Sequence, residues 1–384
     1  MAASTLIEQN QGRVGDRSTP ELCDLAATGL VAMLDPEEQI FCDIYNRTEK
    51  GMIRERLSQR YTMMTLLGLH RYELSGRRSP VTIAPVLDAL LRDTGWIRRA
   101  GDLGLLLWTC AELVPGRLPE VYEAVGAQGA LARFSDGLEG RTMEVAWYLT
   151  GIAGCYLAGH SDLPGLSEQA RTASQILEGN CGNSGVYGHL SRSRSLAGYL
   201  RGRIGSFADQ VYPTIAFARL SQALQDDKAR RMALRTAEKM CELQAHLGEW
   251  CWHYDSVSGK VVSRYPVYSV HQHAMGPMML FAASEATGCD FTDAIYKGLA
   301  WIGGNNELKQ DFVERSLGLV WRSIYLDPLD AYTDAALRFL QLRNGTADSR
   351  RLKVRYECRP YELGWLLYAF AGSGSRRTVE RTEI

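Results

Sequence analysis

Apolar residues recur at spacings of three and four along almost the whole chain, the period of helices that bury one face. The pattern predicts helices over residues 21–34, 57–72, 84–92, 102–113, 118–134, 142–157, 165–178, 207–224, 228–247, 268–286, 290–302, 328–343 and 361–370. Most are bounded by Gly, Pro, Asp or Ser, which favour turns and caps. Strand-like runs are few. The best, residues 260–265 (KVVSRY), pairs as a hairpin with residues 250–254 (WCWHY) across 255–259.

The helices alternate in character. Residues 228–247 (KARRMALRTAEKMCELQAHL) are rich in charge, whereas 142–157 (TMEVAWYLTGIAGCYL) are small, apolar and aromatic. A polar helix facing water, paired with a partner buried on nearly all sides, explains the contrast. The apolar helices also share a head. Asp102, Glu144, Asp209, His271, Asp334 and Glu362 each stand in or near a first helical turn, and an aromatic follows three residues later at Trp147, Tyr212 and Trp365. Six such units cannot bury their faces alone and must stack, which predicts a closed ring of helical hairpins, an all-α (α/α)6 toroid with a few short β-hairpins at one end. Acids in a first turn are also favoured as caps and by the helix dipole. The expected organisation is one domain over residues 21–371, with 21–56 a helical extension and disordered ends at 1–20 and 372–384.

Charge narrows the partners. With 43 basic against 44 acidic residues the chain has no basic excess for nucleic acid. No apolar run of about 20 residues predicts a membrane span. Nine scattered cysteines without a CxxC pair, and a polar start without a leader pattern, fit a reducing, cytoplasmic setting. The sequence does not set an oligomeric state.

Three segments carry candidate chemistry. Residues 248–277 (GEWCWHYDSVSGKVVSRYPVYSVHQHAMGP) gather Trp250, Trp252, Tyr254, Asp255, Arg264, Tyr265 and Tyr268 with His253, His271 and His273. Aromatic faces beside polar groups suit sugar rings, and equally a carbocation; the alternative is a hairpin that packs over the barrel. His271 and His273 would diverge by about 200° on a regular helix, so they would chelate one ion only from the extended stretch before it; acid–base work and a satisfied place in the core are the other two readings. Residues 186–212 hold Tyr187, His189, Arg192, Arg194, Arg201, Arg203, Asp209 and Tyr212, a loop able to bind an acidic group or simply to be solvated. Residues 355–362 (RYECRPYE) bring Tyr356, Glu357, Arg359, Tyr361 and Glu362 to a helix start, as a site rim or a seam ion pair. No phosphate-binding loop, nucleophile elbow or HExxH occurs, and no metal or cofactor is expected.

The repeated polar-headed helix and the hairpin GEWCWHYDSVSGKVVSRYPVYS resemble the six-hairpin (α/α) toroid glycosidases over residues 57–370. That resemblance implies a carbohydrate-active hydrolase, lyase or epimerase working on an oligo- or polysaccharide in the ring's mouth. By position it puts Asp102, Glu144, Asp209, His271 and Glu362 on the inner helices, with Trp252 and Tyr265 at the rim. In a lyase or epimerase, His271 or His273 with Tyr265 or Tyr268 would move a proton, and Arg264 or Arg359 would neutralise a carboxylate. Terpenoid cyclases share a similar toroid, so a cyclase with an aromatic cavity is the alternative, and a scaffold without chemistry is the third.

Overall fold

The computed structural model describes residues 13–14, 17–134, 141–190, 201–327 and 351–372. The helix expected over 328–343 with Asp334, the arginines Arg192 and Arg194, and residues 1–12, 15–16 and 373–384 of the expected disordered ends lie outside the described residues, whereas 13–14 pairs with 17–18 as a short antiparallel hairpin. Among the described residues, twelve helices of at least 7 residues build the architecture: α1 (Thr19–Val31), α2 (Gln59–Leu74), α3 (Ile83–Arg92), α4 (Ala100–Leu113), α5 (Leu118–Ala124), α6 (Thr142–Leu157), α7 (Leu166–Asn180), α8 (Ala208–Leu224), α9 (Asp227–Glu242), α10 (Gly276–Thr287), α11 (Thr292–Ile302) and α12 (Pro360–Phe370).

Each even-numbered helix packs on the next and α12 returns to α2, so six of them close an inner ring; each odd-numbered helix lies outside an even one. The pattern behind this is visible in α6 and α9. In α6 every turn is buried, from Thr142 to Cys155. In α9 only Ala229, Ala233, Thr236, Ala237 and Met240 are buried, one stripe on a charged helix that Asp226 caps through the amides of Lys228 and Ala229. The fold is the α/α toroid of the six-hairpin kind.

Two inner contacts are backbone against backbone. A Cβ added at Gly151 would lie 2.2 Å from the Gly104 carbonyl oxygen, and one at Gly68 would lie 2.0 Å from that of Gly364. These glycines let α4 meet α6, and α2 meet α12, closer than any side chain allows. Inside the ring, Trp108 stacks on Trp365 at 5.3 Å, and the Trp365 indole donates to the Tyr212 hydroxyl at 3.0 Å. Below them Glu112 closes the end formed by the helix C-termini. It accepts from Arg219 at 2.8 Å, Trp108 at 2.7 Å, Tyr368 at 2.9 Å and Arg71 at 3.3 Å. Burial alone would raise its carboxyl, but the two guanidinium groups and the two neutral donors outweigh that and hold it down at about 2.

Three expectations need correction. Residues 21–56 are not a helical extension: after α1 the chain forms the antiparallel hairpin β1 (Cys42–Thr48) and β2 (Gly51–Leu57). The β-branched and aromatic residues Ile44, Tyr45, Thr48 and Ile53 and the turn at Gly51 (φ 107) favour a strand pair here. The helix expected over 118–134 breaks after Ala124, where Gly126 takes φ 64. The expected heads also omit α2, a ring member whose head carries the cation Arg60.

The glycine contacts give the first prediction. Gly151→Ala should destabilise the fold by at least about 2–3 kcal/mol in urea unfolding, as overpacking against backbone does. Gly179→Ala, at an exposed site in α7 with open space around it, should stabilise by about 0.5–1 kcal/mol. Equal effects of the two would contradict the close helix contact.

Candidate functional site

All six inner-helix N-termini meet at one end of the ring, and their first turns explain why the acids stand there. In α4 the Asp102 carboxylate turns back onto the amides of Arg98 and Arg99, both at 2.9 Å. In α8 Asp209 accepts from the Ser206 amide at 2.8 Å, and in α12 Glu362 from the Arg359 amide at 3.2 Å. Each is a first-turn acid satisfying orphan amides. The same carboxylates also pair across the ring, so capping and site-building are one arrangement.

Arg60, from the second position of α2, lies between two heads. Its Nε reaches Asp102 at 2.5 Å, while Nη1 and Nη2 form a fork with Glu144 at 2.8 and 3.0 Å. The guanidinium also sits over the Trp147 ring, 5.2 Å from its centroid. Gly101 makes room for this: a Cβ there would fall 2.3 Å from Glu144 Oε2. On the other side Arg322 bonds Glu362 and, at 2.9 Å, Glu357, and lies 4.9 Å over the Tyr268 ring. Short strands carry it there. β6 (Val267–Tyr268) pairs with β7 (Ser323–Leu326) so that Tyr268 stands opposite Ser323, next to Arg322. Burial raises the Glu362 carboxyl, against the pull of Arg322 and Arg359.

Between these two arginines lies a cavity of about 430 Å³. Its wall holds six aromatic rings, Tyr61, Trp147, Tyr212, Trp252, Tyr268 and Tyr361, together with Arg60, Arg322, Asp43, Ser206 and His271. Tyr61 and Tyr361 pack with tilted rings 4.5 Å apart, and Arg359 donates to the Tyr61 hydroxyl at 2.9 Å. Its floor is the aromatic filling of the ring. His271 opens a π-turn, His271–Met275, that precedes α10. The turn accommodates Pro277, which has no amide to donate, and Gly276, where a Cβ would meet Trp250 at 2.4 Å. The His271 imidazole is wedged 4.6 Å from Phe207 and 5.3 Å from Tyr268, and among the described residues its Nδ1 makes no hydrogen bond. Burial, with Arg322 adding to it, pushes it down to about 3.

The expected site residues therefore divide. Trp252, Tyr268, Tyr212 and His271 line the cavity. Asp102, Glu144, Glu357, Glu362 and Arg359 reach it only through Arg60, Arg322 or Tyr61, and Asp209 through Ser206. The others serve elsewhere. Trp250, Tyr254 and Tyr187 are fully buried packing groups, and Tyr265 is buried as well. Trp250 stacks on Phe207 at 5.6 Å and donates its indole N–H to the Met240 carbonyl. His273 lies in the core beside the Glu362 carbonyl at 3.3 Å, pushed down to about 4 by burial. Arg264 pairs with buried Glu249, and Asp255, at the turn of the expected hairpin, observed as β4 (His253–Asp255) and β5 (Lys260–Ser263), pairs at 2.7 Å with Arg203 from outside it. Tyr356 faces outward and packs on Trp321. Arg60, Arg322, Tyr61 and Asp43 were not expected. Nothing in their local sequence distinguishes them, except that Arg60 and Tyr61 start an apolar helix behind the cap Ser58. Among the described residues no group of three metal-ligating side chains occurs, and no helix is long and apolar enough to cross a membrane.

No family model and no curated protein matches the sequence significantly. Solved structures do match over nearly the full length. An unsaturated glucuronyl hydrolase specific for heparin superposes with a TM-score of 0.57 at 13% identity, covering 94% of this chain and 98% of that one. A possible member of the GH105 family from Salmonella enterica serovar Paratyphi A gives 0.60 at 12%, covering 94% of each. A polysaccharide lyase gives 0.55 at 10%, covering 94% and 98%. The shared feature is the fold, the six-hairpin glycosidase-like toroid, and these structural neighbours are carbohydrate-active enzymes.

The buried histidines generate a pH prediction. His253, His271 and His273 are held at about 4, 3 and 4, below the ordinary value of about 6.5, chiefly by burial. Between those values the unfolded chain binds protons that the folded one refuses. Stability is thus complete above about pH 6.5 and falls as the pH drops, by up to about 1.4 kcal/mol per pH unit for each histidine. In urea titrations from pH 7 to 4.5, His273→Gln should decline less steeply than the parent by about one proton's share. A gap between the two that stays constant with pH would contradict the assignment.

Proposed function

We propose that this chain is a carbohydrate-active enzyme that binds an acidic saccharide in the mouth of the ring. One observation carries the reading: two guanidinium groups, each already fixed by two carboxylates, stand in the wall of one aromatic cavity. A fixed fork recognises a planar carboxylate or a sulfate without first losing side-chain freedom. Three of Arg60's five N–H groups are spent, which leaves two for a ligand. Aromatic faces such as Trp252 supply stacking for the sugar ring. The volume lies in the range of small-ligand sites. The heparin-specific glucuronyl hydrolase among the structural neighbours acts on an acidic sugar, which supports the same class here.

The groups at the wall favour proton transfer next to a carboxylate, by elimination or epimerisation. Arg322 would neutralise the carboxylate, and Tyr268, 5.3 Å from His271 between ring centres, would supply a hydroxyl proton. His271 is a neutral imidazole whose basicity burial suppresses; a carboxylate docking on Arg322 would relieve part of that suppression. Hydrolysis by two carboxylates has less support, because Asp102 and Glu144 spend their oxygens on Arg60 and neither lines the cavity. Six aromatic rings would also suit a carbocation, but two guanidinium groups in the same wall would repel one, which weighs against a terpenoid cyclase. The open cavity weighs against a scaffold whose heads are merely capped.

Isothermal titration tests the reading. A heparin-derived, uronate-bearing tetrasaccharide should bind, and a neutral cello-oligosaccharide of the same length should bind at least tenfold more weakly. Arg322→Lys, which keeps the charge but loses the fork, should weaken the acidic ligand about tenfold, roughly 1.4 kcal/mol. Trp252→Ala should weaken it by a similar factor. Equal affinity for the neutral and acidic sugars would overturn the assignment.

A further inference from the structure

Beside the cavity, between the heads of α6 and α8, stands a histidine that the cavity wall does not include. The backbone holds His189 there: its carbonyl accepts the Thr142 amide at 3.0 Å, and the next residue, Leu190, donates to the Gly202 carbonyl at 3.0 Å. Its Nδ1 lies 3.1 Å from Asp209 Oδ2. That same oxygen takes the amide of Ser206 at 2.8 Å and its hydroxyl at 2.9 Å, and Ser206 lines the cavity. The Asp209 side chain is only 1% exposed, so its position is set by these partners, whereas the His189 side chain is 29% exposed. Strand pairing adds a neighbour. β3 (Ile204–Ser206) pairs with β4 so that Ser206 stands opposite His253, whose ring stacks on Trp252 at 4.2 Å.

An ionised carboxylate only accepts hydrogen bonds, so the proton in the His189–Asp209 contact belongs to Nδ1. The lone pair is then on Nε2, which has no hydrogen-bond partner among the described residues. The other histidines of this end differ. His253, His271 and His273 are held neutral by burial, and His271 is wedged between two rings. His189 alone of these combines a carboxylate on Nδ1 with access to solvent.

We infer that His189 is the proton-accepting residue of the mouth and that Asp209 is its positioning residue. The inference rests on the acidic-saccharide reading. In the elimination that reading favours, His189 Nε2 takes the proton from the sugar carbon next to the carboxylate. The C–H electron pair moves into the carboxylate, which a guanidinium neutralises. Its return forms the carbon–carbon double bond and breaks the bond to the glycosidic oxygen on the adjacent carbon. That oxygen leaves with the Tyr268 proton, and both side chains recover their protonation through water.

Two measurements on the full chain test this. The first needs no saccharide. With ¹⁵N-labelled histidine, the His189 ring should show protonated Nδ1 and unprotonated Nε2, and Asp209→Asn should raise the share of the opposite tautomer. A parent ring protonated at Nε2 instead would overturn the inference, whatever the substrate. The second follows formation of unsaturated product from the heparin-derived tetrasaccharide. His189→Gln should lower kcat about 100-fold or more with KM within about threefold, and added imidazole should partly restore His189→Gly. If His189→Gln keeps parental turnover while Arg322→Lys loses it, the acidic-saccharide reading stands and the role of His189 falls. If the parent neither binds nor converts any uronate sugar, that reading falls, and with it the role of His189 in elimination.

Discussion

Arg60 binds carboxylates from two other inner helices at once, and the geometry of the mouth depends on that triple junction. It ties the heads of α2, α4 and α6 into one rigid corner. The opposite end of the ring repeats the device with the signs exchanged: Glu112 of α4 binds Arg71 of α2 and Arg219 of α8. Helix dipoles favour this polarity, since acids suit N-termini and cations suit the C-terminal turns. Arg60 and Glu112 are the exceptions, a cation at a positive helix end and an acid at a negative one, and each is compensated by two opposite charges. Removing one partner of such a buried cluster typically costs about 3–5 kcal/mol, because the remaining charges stay buried without it.

A ring pinned at both ends leaves little for the middle to do except fill space. Trp108, Trp365 and Tyr212 do so, and the glycines at 68, 104, 151 and 364 let neighbouring backbones touch. The consequence for function is a blind cup. Its floor is aromatic, its walls are helix N-termini, and its charged groups are held by partners before any ligand arrives. The β1–β2 hairpin adds the last wall, contributing Asp43, and is stitched to the head of α12 by the pairing of Cys358 with Tyr45.

Much of this was legible in the sequence. Small, apolar, all-round buried helices alternating with charged ones predicted the ring, and four of the expected acids stand at one end of it: Asp102, Asp209 and Glu362 as caps and charge partners together, Glu144 as a partner of Arg60. What pattern could not supply was which cation each acid would meet. Arg60 and Arg322 are 262 positions apart in the chain yet share one cavity, and no local period encodes that. The aromatic hairpin was over-read for the complementary reason. Composition put Trp250, Trp252 and Tyr254 together, but Gly276 opens a slot that takes Trp250 into the core, while Trp252 alone of the three reaches the cavity. In residues 42–57 the signal is strand propensity around a glycine turn rather than a clear period, too weak to stand out in a helical chain.

The central claim is that the two pre-fixed guanidinium groups make the mouth a receptor for an acidic sugar. A crystal structure of the chain soaked with a glucuronate-containing disaccharide tests it most directly. The account predicts the uronate carboxylate within hydrogen-bond distance of Arg60 or Arg322, with its ring against Trp252 or Tyr268. A disaccharide bound instead at the opposite end of the ring, in the groove between His70 and Arg117, or a mouth left empty at saturating ligand, would contradict it.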